Sequence, residues 1–243
     1  MDRLIYTALS GARASLQRQD ILAHNLANVS TTGFKAEMQA FRAVPIRGDG
    51  AATRAFALET TLGIDQRAGP TQTTGRALDV AAQGNAWFAV QAPDGTEAYT
   101  RAGHFELDGE GQLVTPAGLP VLGDGGPISL PADAQVDIGS DGTITATVGD
   151  GRPQQVGRLK LVVPGEGLVR GDDGLFRPPQ GGDLPAEPAA RVMQGALEGS
   201  NVSAVETMVA MISAARQFEQ QMKAIRTAEE REQGAARLLG PGG

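Results

Sequence analysis

The chain has 243 residues, 41% hydrophobic but only 4% aromatic, with 33 glycines and a formal net charge of −7. At ~150 residues per domain this length suits one large domain or two ordinary ones, and an acidic chain without a basic block is a poor match for nucleic acid or anionic lipid, which require clustered Lys and Arg. Cysteine is absent and the histidines are His24 and His104 alone, which excludes disulfides, thiolate metal sites, cysteine nucleophiles and histidine-rich centres.

At the amino end, Leu4, Ile5 and Tyr6 form too short an apolar run for a secretory signal, which needs roughly 7–15 apolar residues. No window approaches the ~18 apolar residues of a membrane span, so a soluble chain without direct membrane insertion is expected. Ile5, Leu9, Ala12, Leu16, Gln19, Ala23 and Leu26 alternate in spacings of four and three. This is heptad spacing and predicts an amphipathic helix. Leu4, Ala8 and Leu22 widen its stripe, and helix breakers begin at Asn28 and Gly33.

Residues 34–75 carry Phe34, Phe41 and Phe56 among scattered glycines without a clear period, and read as an extended linker with local strand. From there the punctuation is that of a β protein. Asp-Gly pairs fall at Asp94-Gly95, Asp108-Gly109, Asp124-Gly125, Asp141-Gly142, Asp150-Gly151 and Asp173-Gly174. Asp-Gly supplies the positive φ of tight hairpin turns. Strand-like runs lie between them at 86–91, 98–101, 104–107, 112–115, 135–138, 143–148 and 158–163, with Trp87, Phe88 and Phe105 as core aromatics. Their spacing suggests a small sandwich or barrel.

A second heptad stripe follows: Ala204, Met208, Met211, Ala215, Phe218, Met222 and Ile225. Asn201 is a candidate cap, and Ser203 with Glu206 fits a capping box. Val205, Val209 and Ile212 add apolar surface beside the stripe, so this helix offers more than one face. Residues 234–243 are expected to fray. The two matched stripes favour pairing with each other or with neighbouring helices, and alanines on both allow close approach.

The expected fold is therefore α+β: paired amino- and carboxy-terminal helices, coiled-coil-like, with a central all-β domain of short strands. The expected division is 1–33 and 197–243 as a discontinuous helical domain, 34–75 as linker and 76–196 as the β domain.

Catalytic chemistry is hard to assemble from these residues. Asp137, Asp141 and Gly142 begin like a calcium loop, but Val148 stands where the bidentate glutamate belongs. Gly165, Gly167 and Gly171 have the wrong spacing for a dinucleotide loop. Glu106, Asp108 and Glu110 read as a solvated hairpin tip, and His24 and His104 as surface or edge residues. No nucleophile, base and oxyanion site come together, and no metal, cofactor or enzymatic activity is expected.

His24-Asn25-Leu26-Ala27-Asn28 followed by Gly33-Phe34-Lys35 resembles the amino-terminal signature of the bacterial flagellar rod and hook proteins, with His24 where that family usually has Asn. Leu78 to Gly84 with Trp87-Phe88, then Tyr99-Thr100-Arg101-Ala102-Gly103, resemble its central motifs. Leu197-Glu198-Gly199-Ser200-Asn201 resembles its carboxy-terminal signature. The opening residues 1–8, Gly125-Gly126-Pro127-Ile128 and 156–161 look like the proximal-rod branch. The distal-rod branch is the rival; it carries a bulkier stretch where this chain has Phe41-Arg42-Ala43-Val44-Pro45.

The resemblance implies terminal helices gathered into an inner layer with the β region outside. It implies assembly with other proximal and distal rod subunits in the periplasmic part of the flagellar basal body. It also implies export through the flagellar type III apparatus without a cleaved signal. Head-to-tail contacts between unlike patches build such helical tubes. The assembly residues expected on that basis are Ile5, Leu9, Ala12, Leu16, Asn25, Leu26, Asn28, Gly33, Phe34, Asn201, Met208, Met211, Ala215, Phe218, Met222 and Ile225, with capping as the plainer role of Asn25 and Asn28. The alternative is a carbohydrate-binding or carbohydrate-processing β domain with helical flanks. It would need aromatic platforms and paired acids, and one Trp and two Tyr serve it poorly.

Overall fold

The computed structural model describes residues 2–45, 55–131, 134–149, 151–165 and 167–239. Met1, Asp150, Glu166 and the final Gly240–Gly243 of the tail lie outside the described residues. The chain divides into two compact units, one of Met1–Ala27, Glu37–Leu62 and Ser203–Gly243, the other of Asn28–Ala36 and Gly63–Val202.

The first unit holds helix α1 (Asp2–Ala27), strand β1 (Glu37–Pro45), its partner β2 (Ala55–Ile64) except for the last two residues, which belong to the second unit, and helix α2 (Ala204–Leu239). The segment read as linker therefore carries two long strands. Helix α2 starts at a real cap: the Glu206 N–H donates to Ser203 Oγ at 3.4 Å, satisfying one of the free donors of the first turn. Its backbone stays helical through Gly234 to Leu239, beyond the point where fraying was expected.

The two helices pack along each other. Ala8, Ala12 and Ser15 are buried on α1, with Ile5, Gln19, Leu22 and Leu26 half-buried on the same line; Thr207 and Ala214 are buried on α2. A Cβ added to Gly11 would lie 3.0 Å from the Gln221 side chain. Small side chains thus hold the most buried seam positions, where the two backbones come closest, and larger ones are half-buried beside them.

The second unit is all β. In chain order it contains β3 (Thr71–Thr73), β4 (Val80–Ala82), β5 (Trp87–Gln91), β6 (Glu97–Thr100), β7 (Glu106–Leu107), β8 (Leu113–Val114), β9 (Leu122–Gly123) and β10 (Gly126–Pro127). Strands β11 (Ala134–Ile138), β12 (Thr143–Val148), β13 (Gln154–Arg158), β14 (Leu161–Val162), β15 (Val169–Arg170), β16 (Phe176–Arg177), β17 (Val192–Gln194) and β18 (Ala196–Glu198) follow. Its largest sheet has the order β14-β5-β6-β16-β15, and a meander β11-β12-β13 lies beside smaller two-stranded ladders.

Alternation along β5 explains the core. Phe88 and Val90 point into a large cluster with Phe105, Leu113, Val121, Ile144 and Leu159, while Trp87 and Ala89 face a smaller one with Tyr99, Val162 and Phe176. Successive strand residues face opposite sides, so this sheet is covered on both faces. The rings of Phe88 and Phe105 meet edge to face at 5.2 Å between centroids. At Asp141-Gly142 the turn forms as expected: Gly142 has φ +84°, and Asp141 Oδ1 accepts from the Thr143 N–H at 3.1 Å.

Candidate assembly site

The residues expected at the assembly site separate into two places. Ile5, Leu9, Ala12, Leu16, Asn25, Leu26, Met208, Met211, Ala215, Phe218, Met222 and Ile225 belong to the helical unit; Asn28, Gly33, Phe34 and Asn201 belong to the β unit.

On the helices, the contact seam keeps most of the expected stripe but lies one residue away from it at Leu9, Leu16 and Met208. Leu9 and Leu16 are 43% and 44% exposed and Met208 is 50% exposed, while Ala8, Ser15, Thr207 and Ala214 take the inner positions. Ala12 is buried; Ile5, Leu26, Met211, Ala215, Phe218, Met222 and Ile225 are half-buried. Tyr6 on α1, and Val205, Val209 and Ile212 on α2, join Leu9, Leu16 and Met208 as large apolar side chains turned to solvent. Single exposed leucines are ordinary, but seven bulky apolar residues on two neighbouring helices form a surface that water does not favour.

Asn25 terminates α1 in an unexpected way. Its carboxamide accepts from the Glu37 N–H at 2.9 Å and donates to the Glu37 carbonyl at 3.0 Å, copying a strand's pairing and fixing the start of β1. His24 Nδ1 lies 3.2 Å from Glu37 Oε1 beside it.

In the β unit, the two signatures meet. Asn28 accepts the Thr31 N–H at 3.1 Å and starts a turn that ends at Gly33. Gly33 has φ +68°, and a Cβ there would sit 2.3 Å from the Ala102 nitrogen, so only glycine fits. Its N–H donates to the Glu198 carbonyl at 2.7 Å. Phe34 is buried, with the Arg170 guanidinium 4.6 Å above its ring. Asn201 is not a helix cap. Its Oδ1 accepts from the Ala36 N–H at 2.7 Å, and its Nδ2 donates to the carbonyls of Asp65 at 2.8 Å and Arg67 at 2.9 Å.

At the centre of this junction is a buried ionic triad. Lys35, Arg101 and Glu198 are 1%, 2% and 2% exposed. Lys35 Nζ donates to Glu198 Oε1 at 2.7 Å and to the Arg67 carbonyl at 2.8 Å. Arg101 Nη2 lies 2.5 Å from Glu198 Oε2, and its Nη1 donates to the Ala86 carbonyl. Glu198 Oε1 also accepts from the Gly69 N–H at 3.0 Å. Burial pushes the Lys35 ammonium below its ordinary value, while the hydrogen bond and charge of Glu198 pull it back up. Arg101 is lowered by burial in the same way, against the opposing pull of Glu198.

The triad was missed in the sequence, although each member sits inside a motif singled out there. The available signal was a lone charge within a glycine-rich or apolar stretch, cationic in two motifs and anionic in the third.

His104, expected as an edge residue, is half-buried. Its Nδ1 lies 2.7 Å from Asp79 Oδ1, and Arg76 Nη1 lies 2.9 Å from the same oxygen. This cluster clasps β4 to the segment leading into β7. Glu106, Asp108 and Glu110 do form a hairpin tip, where Asp108 Oδ1 accepts from the N–H groups of Glu110 and Gln112. No described helix is long and apolar enough to cross a membrane.

Three family descriptions match successive parts of this layout. Residues 5–35 match "Flagella basal body rod protein", 81–146 match "Flagellar hook protein FlgE/F/G D1 domain", and 193–238 match "Flagellar basal body rod FlgEFG protein C-terminal". Over 250 residues the chain is 47% identical to the flagellar basal-body rod protein FlgF of Salmonella typhimurium, covering 98% of this chain and 99% of that protein. It is 46% identical to FlgF of Escherichia coli over the same coverage. Against the rod protein FlgG of Bacillus subtilis it is 34% identical over 255 residues, covering 95% of this chain and 96% of that one.

Proposed function

The chain belongs to the flagellar basal-body rod protein family, and from that premise we propose that it builds the rod by packing the exposed faces of α1 and α2 against helices of neighbouring subunits. It is a FlgF-like structural subunit of the bacterial flagellar basal body. The observation that carries the proposal is the division of labour on the helices. Small residues hold the most buried positions of the seam within one chain, and Leu9, Leu16, Met208 and Ile212 remain outside it. A tube of subunits requires contacts of this second kind, between unlike patches that do not close a ring. On this reading the partners are other rod subunits, proximal rod rather than distal, and the flagellar type III export apparatus. The working location is the periplasmic rod, reached without a cleaved signal, and the role is mechanical rather than catalytic.

The absence of cysteine gives a clean background for the test. Leu9→Cys and Met208→Cys chains, assembled into basal bodies and treated with a thiol cross-linker, should join to neighbouring rod subunits. Ala12→Cys and Ala214→Cys, buried in the seam, should not. Cross-linking of the seam positions to other subunits, with none from Leu9 or Met208, would overturn the assignment of faces.

A further inference from the structure

We infer that residues 191–201 are a closing strap, without which the whole β unit stays open, so that a chain delivered amino end first cannot complete this unit until its carboxy-terminal signature arrives. Three observations carry this.

The first is pairing. Strand β4 has β17 as its ladder partner and β3 has β18, so both early strands wait for residues more than a hundred positions later. The strap also takes up backbone groups elsewhere: Thr74 and Gly75 both donate to the Gly195 carbonyl, at 2.7 and 3.0 Å, and Gln83 donates to that of Arg191 at 2.9 Å. Strand β4 is buried along its whole length, and a buried backbone group without its ladder partner is costly.

The second is charge. Closing the β unit buries Lys35 and Arg101, and among the described residues Glu198 is the only carboxylate that touches either. Without the strap the same closure would bury two cations with no carboxylate in contact, which is far worse than leaving the unit open.

The third is position. Arg101 follows directly on β6, the middle strand of the five-stranded sheet. The cost of its desolvation therefore falls on the core of the unit and not on a peripheral loop. Because chains emerge amino end first during synthesis, the core is held open until residue 198 of 243 is available.

The test is refolding of the full chain from denaturant, with pulsed hydrogen exchange read by residue. The amides of Ala89, Leu113 and Val121 donate to Lys160, Ile128 and Leu113, none of them in the strap. They should nevertheless gain protection in the same kinetic phase as Val192. A resolved earlier phase that protects these three while Val192 is still open would overturn the inference. In the full chain, Glu198→Gln should reduce the folding equilibrium about a hundredfold or more. A triple change, Lys35→Met, Arg101→Met and Glu198→Met, should recover most of that loss, because no charge is then buried. An unchanged equilibrium in Glu198→Gln, or a triple variant no better than it, would show that the charge does not gate closure.

Discussion

Lys35 and Glu198 stand 163 residues apart in sequence and meet at 2.7 Å with almost no exposure to water. The contact joins the two family signatures inside the β unit. It also explains why a residue as costly to bury as lysine follows Gly33 and Phe34: its charge is matched by a single carboxylate from the other end of the chain. Removing one partner of such a pair costs about 3–5 kcal/mol, because the other is left charged and dry.

Gly33 should tolerate no side chain. Its φ of +68° is compounded by a Cβ position 2.3 Å from the Ala102 nitrogen and 2.4 Å from the Arg101 carbonyl carbon, both backbone atoms that cannot rotate away. Gly84 shares the positive φ, at +59°, but nothing lies within 4 Å of its would-be Cβ. Gly84→Ala should cost about 1 kcal/mol from backbone strain alone. Gly33→Ala should cost several times more, read as the shift in the urea midpoint of the β unit. Equal shifts for the two would mean that the close approach at Ala102 is relieved at no expense.

Acid should weaken the β unit through its buried aspartates. Burial pushes the Asp79 carboxyl up, but the hydrogen bonds of Thr74 and His104 and the charges of His104 and Arg76 outweigh it and hold it below the usual carboxylate range. Asp65 is also lowered, first by the hydrogen bond from Arg67. A carboxylate whose folded value is depressed contributes stability above its unfolded value, near ~3.9, and loses it as pH falls through the folded value. Urea midpoints taken between about pH 5 and pH 2 should therefore fall, and Asp79→Asn should flatten that fall. An equally steep fall in Asp79→Asn would remove Asp79 from the cause.

The helical unit should be the less stable of the two when the chain is alone. Its buried apolar residues on α1 and α2 are alanines, whereas the β unit buries Phe88, Phe105, Trp87, Leu113 and Ile144. Burial free energy scales with apolar area at ~25 cal/mol per Å², and helices are held mainly by packing of one face. In native hydrogen exchange the amides of α1 and α2 should exchange faster than those of β5, β6 and β12. Protection of α1 equal to that of β5 in the monomer would contradict this.

The helices and the strands β5, β11 and β12 are legible because periodicity and Asp-Gly turns are local signals, whereas β1 and β2 lie in a stretch without a clear period. At Leu9, Leu16 and Met208 the seam shifts by one residue for a physical reason. A heptad reading follows the largest apolar residues, Leu9, Leu16 and Met208, but two backbones in close contact select their neighbours Ala8, Ser15 and Thr207. Strands β9, β10 and β15 pair locally, β9 with β10 and β15 with β16, but at two residues each they are too short to carry a pattern of their own. The strap and the triad are hidden for a different reason, because β3, β4 and Lys35 lie more than a hundred residues from their partners in the strap. Glu198 gains its meaning only when Lys35 and Arg101 are brought to it.

The last prediction separates folding from assembly on one helix. Met208 and Ala214 lie six positions apart on α2; the first is exposed and the second is fully buried against the seam. Met208→Asp places a charge in water within the monomer, so the melting temperature should move little, since surface changes of this kind stay within about ±0.5 kcal/mol. In an assembled rod the same carboxylate would be desolvated between apolar helices without a partner, which is costly. Incorporation, and with it motility, should be lost. Ala214→Asp buries its charge in the monomer itself and should loosen the helical unit before any assembly, seen as loss of far-ultraviolet helical signal with the β unit still folded. Lys223→Gln, an exposed change worth well under ~1 kcal/mol, should assemble normally. Normal motility in Met208→Asp would show that the exposed face does not touch neighbours. A large drop in its monomer melting temperature would show that Met208 works within the chain and not between chains.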